Sequence, residues 1–89
     1  MKLRATIREE VKPNTNYIVV EFEGDDKKQH FEVKCTFDPY QIGMEKWDVW
    51  DLKIKFESEI FTEKKTGEKS YFTHIVCCNA RAFAPLYDI

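Results

Sequence analysis

Basic and aromatic residues alternate around one charged segment near the C-terminal third of the chain. Lys64, Lys65 and Lys69 lie within this segment, and Phe61 and Tyr71 stand at its two ends. Lysine ammonium groups neutralise phosphates, and an aromatic ring that stacks on a base contributes about 1–3 kcal/mol. These residue types predict a surface that binds a single-stranded nucleic acid with little sequence preference.

Four further candidates for the same surface fall on predicted strands. Alternation of polar and apolar residues places their side chains on the solvent side when the intervening apolar residues face the core. Together they would add three cations and one aromatic ring to a nucleic-acid-binding surface. These candidates are Arg4, Arg8, Tyr17 and Lys34.

Ordinary solubilising charge is an alternative explanation for all of these cations. Glu21 and Glu32 could pair with the strand cations across a sheet, and Glu63 and Glu68 lie among the lysines of the charged segment. The formal net charge is −2, whereas strong phosphate binding usually accompanies an excess of Lys and Arg. The charge balance therefore leaves both explanations open.

Residues for catalysis or metal binding are sparse. His74 and Cys77 are three positions apart, so on a strand they would face opposite sides of the sheet and could not share one metal ion. Asp48 and Asp51 fit solvated charges better than a catalytic pair, and the three glycines are too dispersed for a phosphate loop. We expect no enzyme activity, no cofactor and no metal site.

Period-two alternation and turn residues predict five strands, the signature of a β-rich domain. The strands fall near residues 3–7, 17–23, 31–37, 52–60 and 70–83. The fifth is apolar at successive positions, which predicts that both of its faces are covered.

A short helix is predicted between the third and fourth strands. Asp38 is a candidate N-cap, Pro39 suits the first helical position, and Gln41 completes a capping box. An apolar stripe at helical spacing follows and predicts a core-facing side. Its members are Tyr40, Met44, Trp47 and Trp50.

The order of three strands, one helix and two strands predicts the fold class. An all-β, five-stranded Greek-key barrel of the OB type has this order, with its helix between strands three and four. A cystatin-like or ubiquitin-like roll is the alternative, but its main helix would follow the first or second strand, where Pro13, Asn14 and Asn16 disfavour a helix. We expect residues 1–89 to form a single domain, because a chain of 89 residues has no room for a second core.

Part of the chain resembles a known family. The strand Asp51–Phe56 and the segment Gly67–Ile75 resemble the C-terminal half of small single-stranded-DNA-binding OB proteins, and also a bacterial OB-like domain family of unknown function. The resemblance implies that Lys64, Lys65, Lys69 and Tyr71 lie in or beside a loop that clamps a single strand, of DNA more than RNA. It also implies an accessory role in replication, repair or a phage.

A protein-interaction or assembly module is the second functional hypothesis. The apolar fifth strand, from Phe72 to Phe83, could form a homodimer by edge pairing or through a covered outer face. The short C-terminal end, Tyr87–Ile89, could dock a protein partner.

Composition favours a cytoplasmic protein. No apolar stretch approaches the roughly 20 residues of a membrane helix, and the N-terminus lacks the apolar core of a secretory signal. The cysteines are odd in number, and Cys77 and Cys78 are adjacent, so we expect reduced, buried thiols together with Cys35.

Overall fold

Five strands close into one barrel in a computed structural model that describes residues 1–83. The strand order is β1-β2-β3-β5-β4, closed by β4 against β1, and every pairing is antiparallel except the parallel pair β3 and β5. The predicted all-β, five-stranded barrel is confirmed. Residues 1–83 include no helix that could span a membrane. The strands are β1 (Lys2–Ile7), β2 (Tyr17–Phe22), β3 (Phe31–Cys35), β4 (Val49–Thr62) and β5 (Lys69–Ala82).

The predicted alternation fills the barrel interior. On each strand every second residue points inward, and the inward residues are mostly aliphatic or cysteine, with Trp50 as an aromatic member on β4. The core cluster includes Ile7, Val20, Val33 and Leu52, none of them more than 1% exposed. The intervening residues face solvent, so the outward orientation predicted for Arg4 on β1 is correct.

The predicted helix between β3 and β4 is wrong, since residues 36–48 form successive turns. The hydrogen bonds of a cap at Asp38 are present, because an Asp38 carboxylate oxygen accepts bonds from the backbone N–H groups of Tyr40 (3.0 Å) and Gln41 (3.4 Å). Gly43 then takes φ +87° and Trp47 takes φ +77°. Both angles lie outside the right-handed helical region, so the helix cannot extend past its first turn.

The apolar stripe expected on that helix divides between core and solvent. Met44 and Trp50 are buried, the latter as part of β4, and both belong to the core cluster. Tyr40 and Trp47 are exposed. Only two of the four side chains therefore contribute to the core.

A long two-stranded ribbon projects from the barrel. Strands β4 and β5 have 14 residues each, whereas β1 has 6 and β3 has 5, so the long strands outrun their neighbours. The Cα radius of gyration is 15.8 Å, against about 12 Å for a compact chain of this length. The projecting part, residues 55–74, is called the arm below. From Lys55 to Thr62 it spans about 24 Å at about 3.4 Å per residue.

Burial of β5 on both faces is restricted to a short segment. Val76 and Cys77 are buried in succession, but residues 69–73 are exposed. The register shift at Lys53 and Ile54 leaves Cys78 without a partner on β4, and Cys78 is exposed. The expectation of three buried thiols is therefore wrong at Cys78 and correct at Cys35 and Cys77.

Candidate nucleic-acid interface

The arm has two chemically different faces, which follow from the pairing of β4 with β5. The first continues the barrel interior beyond Ile54 and is called the inner face; the second continues the outer surface of the barrel and is called the outer face. The inner face carries Phe56, Ser58, Ile60, Tyr71 and Thr73, and the outer face carries Lys55, Glu57, Glu59, Phe61, Phe72 and His74.

The inner face presents apolar and hydroxyl groups to solvent and has no carboxylate. Phe56, Ile60 and Tyr71 are 56%, 59% and 65% exposed, and Ile60 and Tyr71 are register partners. Ser58 and Thr73 are also register partners, and they stand between the two apolar levels. Rings flanked by hydroxyl donors can stack on bases and bond to phosphate or sugar oxygens.

The polar side chains on the outer face contact one another within the arm. Lys55 Nζ lies 3.2 Å from Glu57 Oε1, and His74 Nε2 lies 3.1 Å from Glu59 Oε1. Both glutamates would repel a phosphate backbone on this face. The inner face is therefore the better surface for an anionic strand.

Phe61 and Tyr71, predicted together as stacking residues, lie on opposite faces of the arm. Phe61 packs edge-on against Phe72, with ring centroids 5.3 Å apart and an interplanar angle of 82°. Tyr71 stands on the inner face beside Ile60. The two predicted rings therefore do not form a single platform.

The tip of the arm carries the three predicted lysines. Gly67 and Glu68 close the turn, since the Gly67 N–H donates to the Glu63 carbonyl and the Glu63 N–H donates to the Glu68 carbonyl, both at 2.8 Å. Lys64 and Lys65 are exposed in this turn. The third lysine, Lys69, is exposed at the start of β5, opposite Thr62. The lysines are thus brought together about one arm's length from the barrel.

Arg4 is held by acidic and aromatic neighbours on the barrel. Its Nε lies 2.8 Å from Asp51 Oδ1 and 3.9 Å from Glu23 Oε2, and its guanidinium lies 3.8 Å from the centre of the Phe83 ring. The hydrogen bond from Arg4 is the main reason that the pKa of Asp51 is lowered from its ordinary value. Arg4 pairs with these residues, and not with the glutamates of β2 and β3 that the alternative explanation names.

Arg8 also has an internal partner. Its Nη1 lies 3.6 Å from Glu21 Oε1, and its guanidinium lies 4.7 Å from the centre of the exposed Trp47 ring. The cross-strand pairing offered as an alternative is therefore present at Arg8. The neighbouring indole leaves a planar cationic and aromatic surface at this end of the barrel.

Tyr17 and Lys34 lie side by side on the outer surface of the barrel. They are register partners on β2 and β3, and the row continues through Val76 on β5 to Lys55 on β4. Val76 is 3% exposed although it lies outside the core cluster. The alkyl parts of the two lysines in this row are long enough to lie over it.

The nine predicted residues therefore occupy separate locations. Four of them lie on the arm tip or its inner face, one on the outer face, and four on the barrel surface. Sequence alone missed Phe56 and Ile60 as site residues; they lie on the apolar side of the predicted fourth strand but are exposed. The difference in strand length was a signal for them. Because β4 is longer than β1, β1 cannot pair with the part of β4 that carries these two residues. Among residues 1–83 no cluster of three metal-binding side chains exists.

Comparison with known proteins identifies one similar solved structure. The mitochondrial single-stranded DNA binding protein Rim1 from S. cerevisiae superposes with a TM-score of 0.53 at 16% sequence identity, over 92% of this chain and 91% of that chain. No protein-family model matches the sequence. A search of curated proteins likewise gives no match. The resemblance to OB proteins that bind single-stranded DNA is thus confirmed at the level of the fold.

Proposed function

We propose that this protein binds single-stranded DNA through the inner face and tip of the arm, with little sequence preference. The carrying observation is that Phe56, Ile60 and Tyr71 stand exposed on a face without carboxylates, while lysines occupy the tip. Stacking platforms combined with nearby cations are what sequence-tolerant single-strand binding requires. The fold shared with a protein whose name describes single-stranded DNA binding supports the proposal.

A single strand suits this surface better than a duplex. Stacking on Tyr71 needs an unpaired base whose face is accessible, which a duplex does not offer outside its ends. DNA is proposed over RNA because the structural neighbour binds DNA by name. Tyr17 and Lys34 on the barrel surface would extend the contact with the strand. Arg8 and Trp47 would form a separate contact with it.

Two neighbouring aromatic residues give a matched test. Tyr71 and Phe72 are consecutive on β5, both are exposed, and they lie on opposite faces of the arm. We expect Tyr71→Ala to weaken binding of labelled oligothymidine about 5-fold to 150-fold in fluorescence anisotropy, equivalent to about 1–3 kcal/mol. Phe72→Ala should leave the affinity within about 2-fold. Equal losses in the two variants, or no binding by the folded wild-type protein, would overturn the proposal.

The biological setting proposed is an accessory protein of replication, repair or a phage that acts in the cytoplasm without catalysis. Binding without strong sequence preference is what coating or protecting exposed single strands requires.

A homodimer formed through β5 is a second candidate function. On the N-terminal side of Ile75, no strand among residues 1–83 pairs with the edge of β5 that faces β3. Phe72 lies on this part of β5 and is 52% exposed. Unpaired edges with apolar side chains favour strand addition from another chain. Light scattering over a range of concentrations tests this candidate, since a dimer that Phe72→Ala dissociates supports it and a persistent monomer excludes it. Docking through Tyr87–Ile89 lies outside the residues that the structure describes.

A further inference from the structure

Three cations that the sequence did not single out lie together on the outer surface of β1, β4 and β5. Lys2 and Lys53 are register partners on β1 and β4, and Arg81 is the register partner of Asp51 on β5. The group formed by Lys2, Lys53 and Arg81 is called the basic patch below. Like charges placed directly opposite each other on a sheet are destabilising, so the pairing of Lys2 with Lys53 is not explained by folding.

The single carboxylate inside the patch already has a partner. Asp51 accepts hydrogen bonds from Arg4 Nε at 2.8 Å and from Arg4 Nη2 at 3.4 Å. Within residues 1–83, Lys2, Lys53 and Arg81 make no ion pair shorter than 4.0 Å. Asp51 also attracts Lys2 and Arg81 electrostatically, so one carboxylate is shared between these two cations and Arg4. The patch therefore keeps an excess of positive charge in a chain whose net charge is −2.

The patch is concave and adjoins the outer face of the arm. Its three cations line an open concavity of about 480 Å³, together with Asn79 and Phe83. Asn79 is the register partner of Lys53 and offers amide donors between the cations. Along the same surface of β4, Lys53 is followed by Lys55, where the outer face of the arm begins.

We propose that the basic patch is a phosphate-binding site for the backbone of a single strand that extends past the arm. The strand stacks on the inner face of the arm and then crosses the edge of β4 beyond Ile54, where the pairing with β1 has ended. Its flanking phosphates reach the three cations of the patch on the outer surface of the barrel. The cations of the patch hold phosphates without contacting bases, so this site adds affinity and length dependence but no sequence preference. This inference rests on the proposed function, because the arm supplies the stacking contact.

The test compares two oligothymidines, of about 6 and about 16 nucleotides, which are near the limits of the range that OB folds cover. The patch variant is Lys2→Gln, Lys53→Gln and Arg81→Gln combined. The control variant combines Lys12→Gln, Lys27→Gln and Lys28→Gln, which changes the net charge equally at exposed loop positions. Tyr71→Ala is measured in parallel, and anisotropy is recorded over a series of salt concentrations.

The expected result is a loss of salt dependence in the patch variant with the longer oligonucleotide. Each phosphate contact on a single strand contributes about 0.7 to the slope of log affinity against log salt, so losing three contacts lowers the slope by about 2. The shorter oligonucleotide should show little change, and the control variant should match wild type with both.

Each other outcome identifies which proposal fails. If Tyr71→Ala weakens binding while the patch and control variants have equal slopes, the patch inference is overturned and the arm proposal stands. If the patch variant loses slope while Tyr71→Ala binds normally, the patch stands and the arm proposal is overturned. Absence of binding by the folded wild-type protein overturns both.

Discussion

Shortening the arm should separate folding from binding. The structure allows residues 58–73 to be replaced by Asn-Gly, because Glu57 and His74 are register partners at the level of the cut. A two-residue Asn-Gly loop is the preferred connection for antiparallel partners. The variant keeps all five strands of the barrel and removes only the outer part of the ribbon.

The effect on stability is expected to be small. No side chain between residues 58 and 73 is buried, so the deletion opens no cavity. The Phe61–Phe72 ring pair is lost, and such pairs contribute about 0.5–1.5 kcal/mol beyond their burial. The shorter connection costs less closure entropy, which offsets part of this loss. We expect the unfolding free energy in urea to change by no more than about 1.5 kcal/mol.

The effect on binding is expected to be large, and it cannot come from the overall charge. Lys64, Lys65 and Lys69 are removed together with Glu59, Glu63 and Glu68, so the net charge stays at −2. Removal of the Tyr71 ring costs about 1–3 kcal/mol. Loss of up to three lysine contacts lowers the slope of log affinity against log salt concentration by no more than about 2.

Urea unfolding and oligothymidine anisotropy on the same preparation provide the assay. Retained stability with binding weakened at least about 5-fold, the lower limit for one lost stack, is the expected pair of results. A shortened protein that binds like wild type would refute the assignment of the site to the arm. A shortened protein that fails to fold would refute the conclusion that the barrel supplies the stability.

Three further predictions concern the barrel. Leu52→Ala, at a position with no solvent exposure, should lower the unfolding free energy by about 2–5 kcal/mol in urea titration. Because pairing with Arg4 lowers the pKa of Asp51, the pair stabilises the fold above the ordinary aspartate pKa of about 3.9 and loses its effect as pH falls through the lowered pKa. Asp51→Asn should therefore reduce stability at pH 7 but not at strongly acidic pH, whereas an equal loss at both would contradict this account. A maleimide should modify Cys78 first in the native protein, as peptide mass spectrometry would show, because Cys78 is exposed whereas Cys35 and Cys77 are buried.

Local sequence patterns were sufficient to predict the five strands and their faces. Alternation in β4 correctly separates Leu52 and Ile54 from Lys53 and Lys55, because the period of a strand does not depend on its partners. The same alternation continues unchanged through Ile60, which is exposed. Burial stops where β1 and β3 end, and those limits are set by other parts of the chain.

Long-range pairing and backbone strain account for the other differences. Arg4 finds Asp51, which is 47 positions away, instead of a glutamate on a neighbouring hairpin strand. The cap at Asp38 predicts that a helix begins but carries no information about where it ends. Positive φ at Trp47 is unusual for a non-glycine residue, so no propensity rule would have indicated it.

Net charge is a poor guide to binding in this molecule because its charges act locally. At physiological salt the Debye length is about 8 Å, so an arm of about 24 Å places its tip beyond the influence of the charges on the barrel. At the tip itself, Glu63 and Glu68 offset part of the charge of Lys64, Lys65 and Lys69. Stacking must therefore supply more of the affinity on the arm than charge does. The basic patch, whose one carboxylate is held by Arg4, is where salt should have its larger effect.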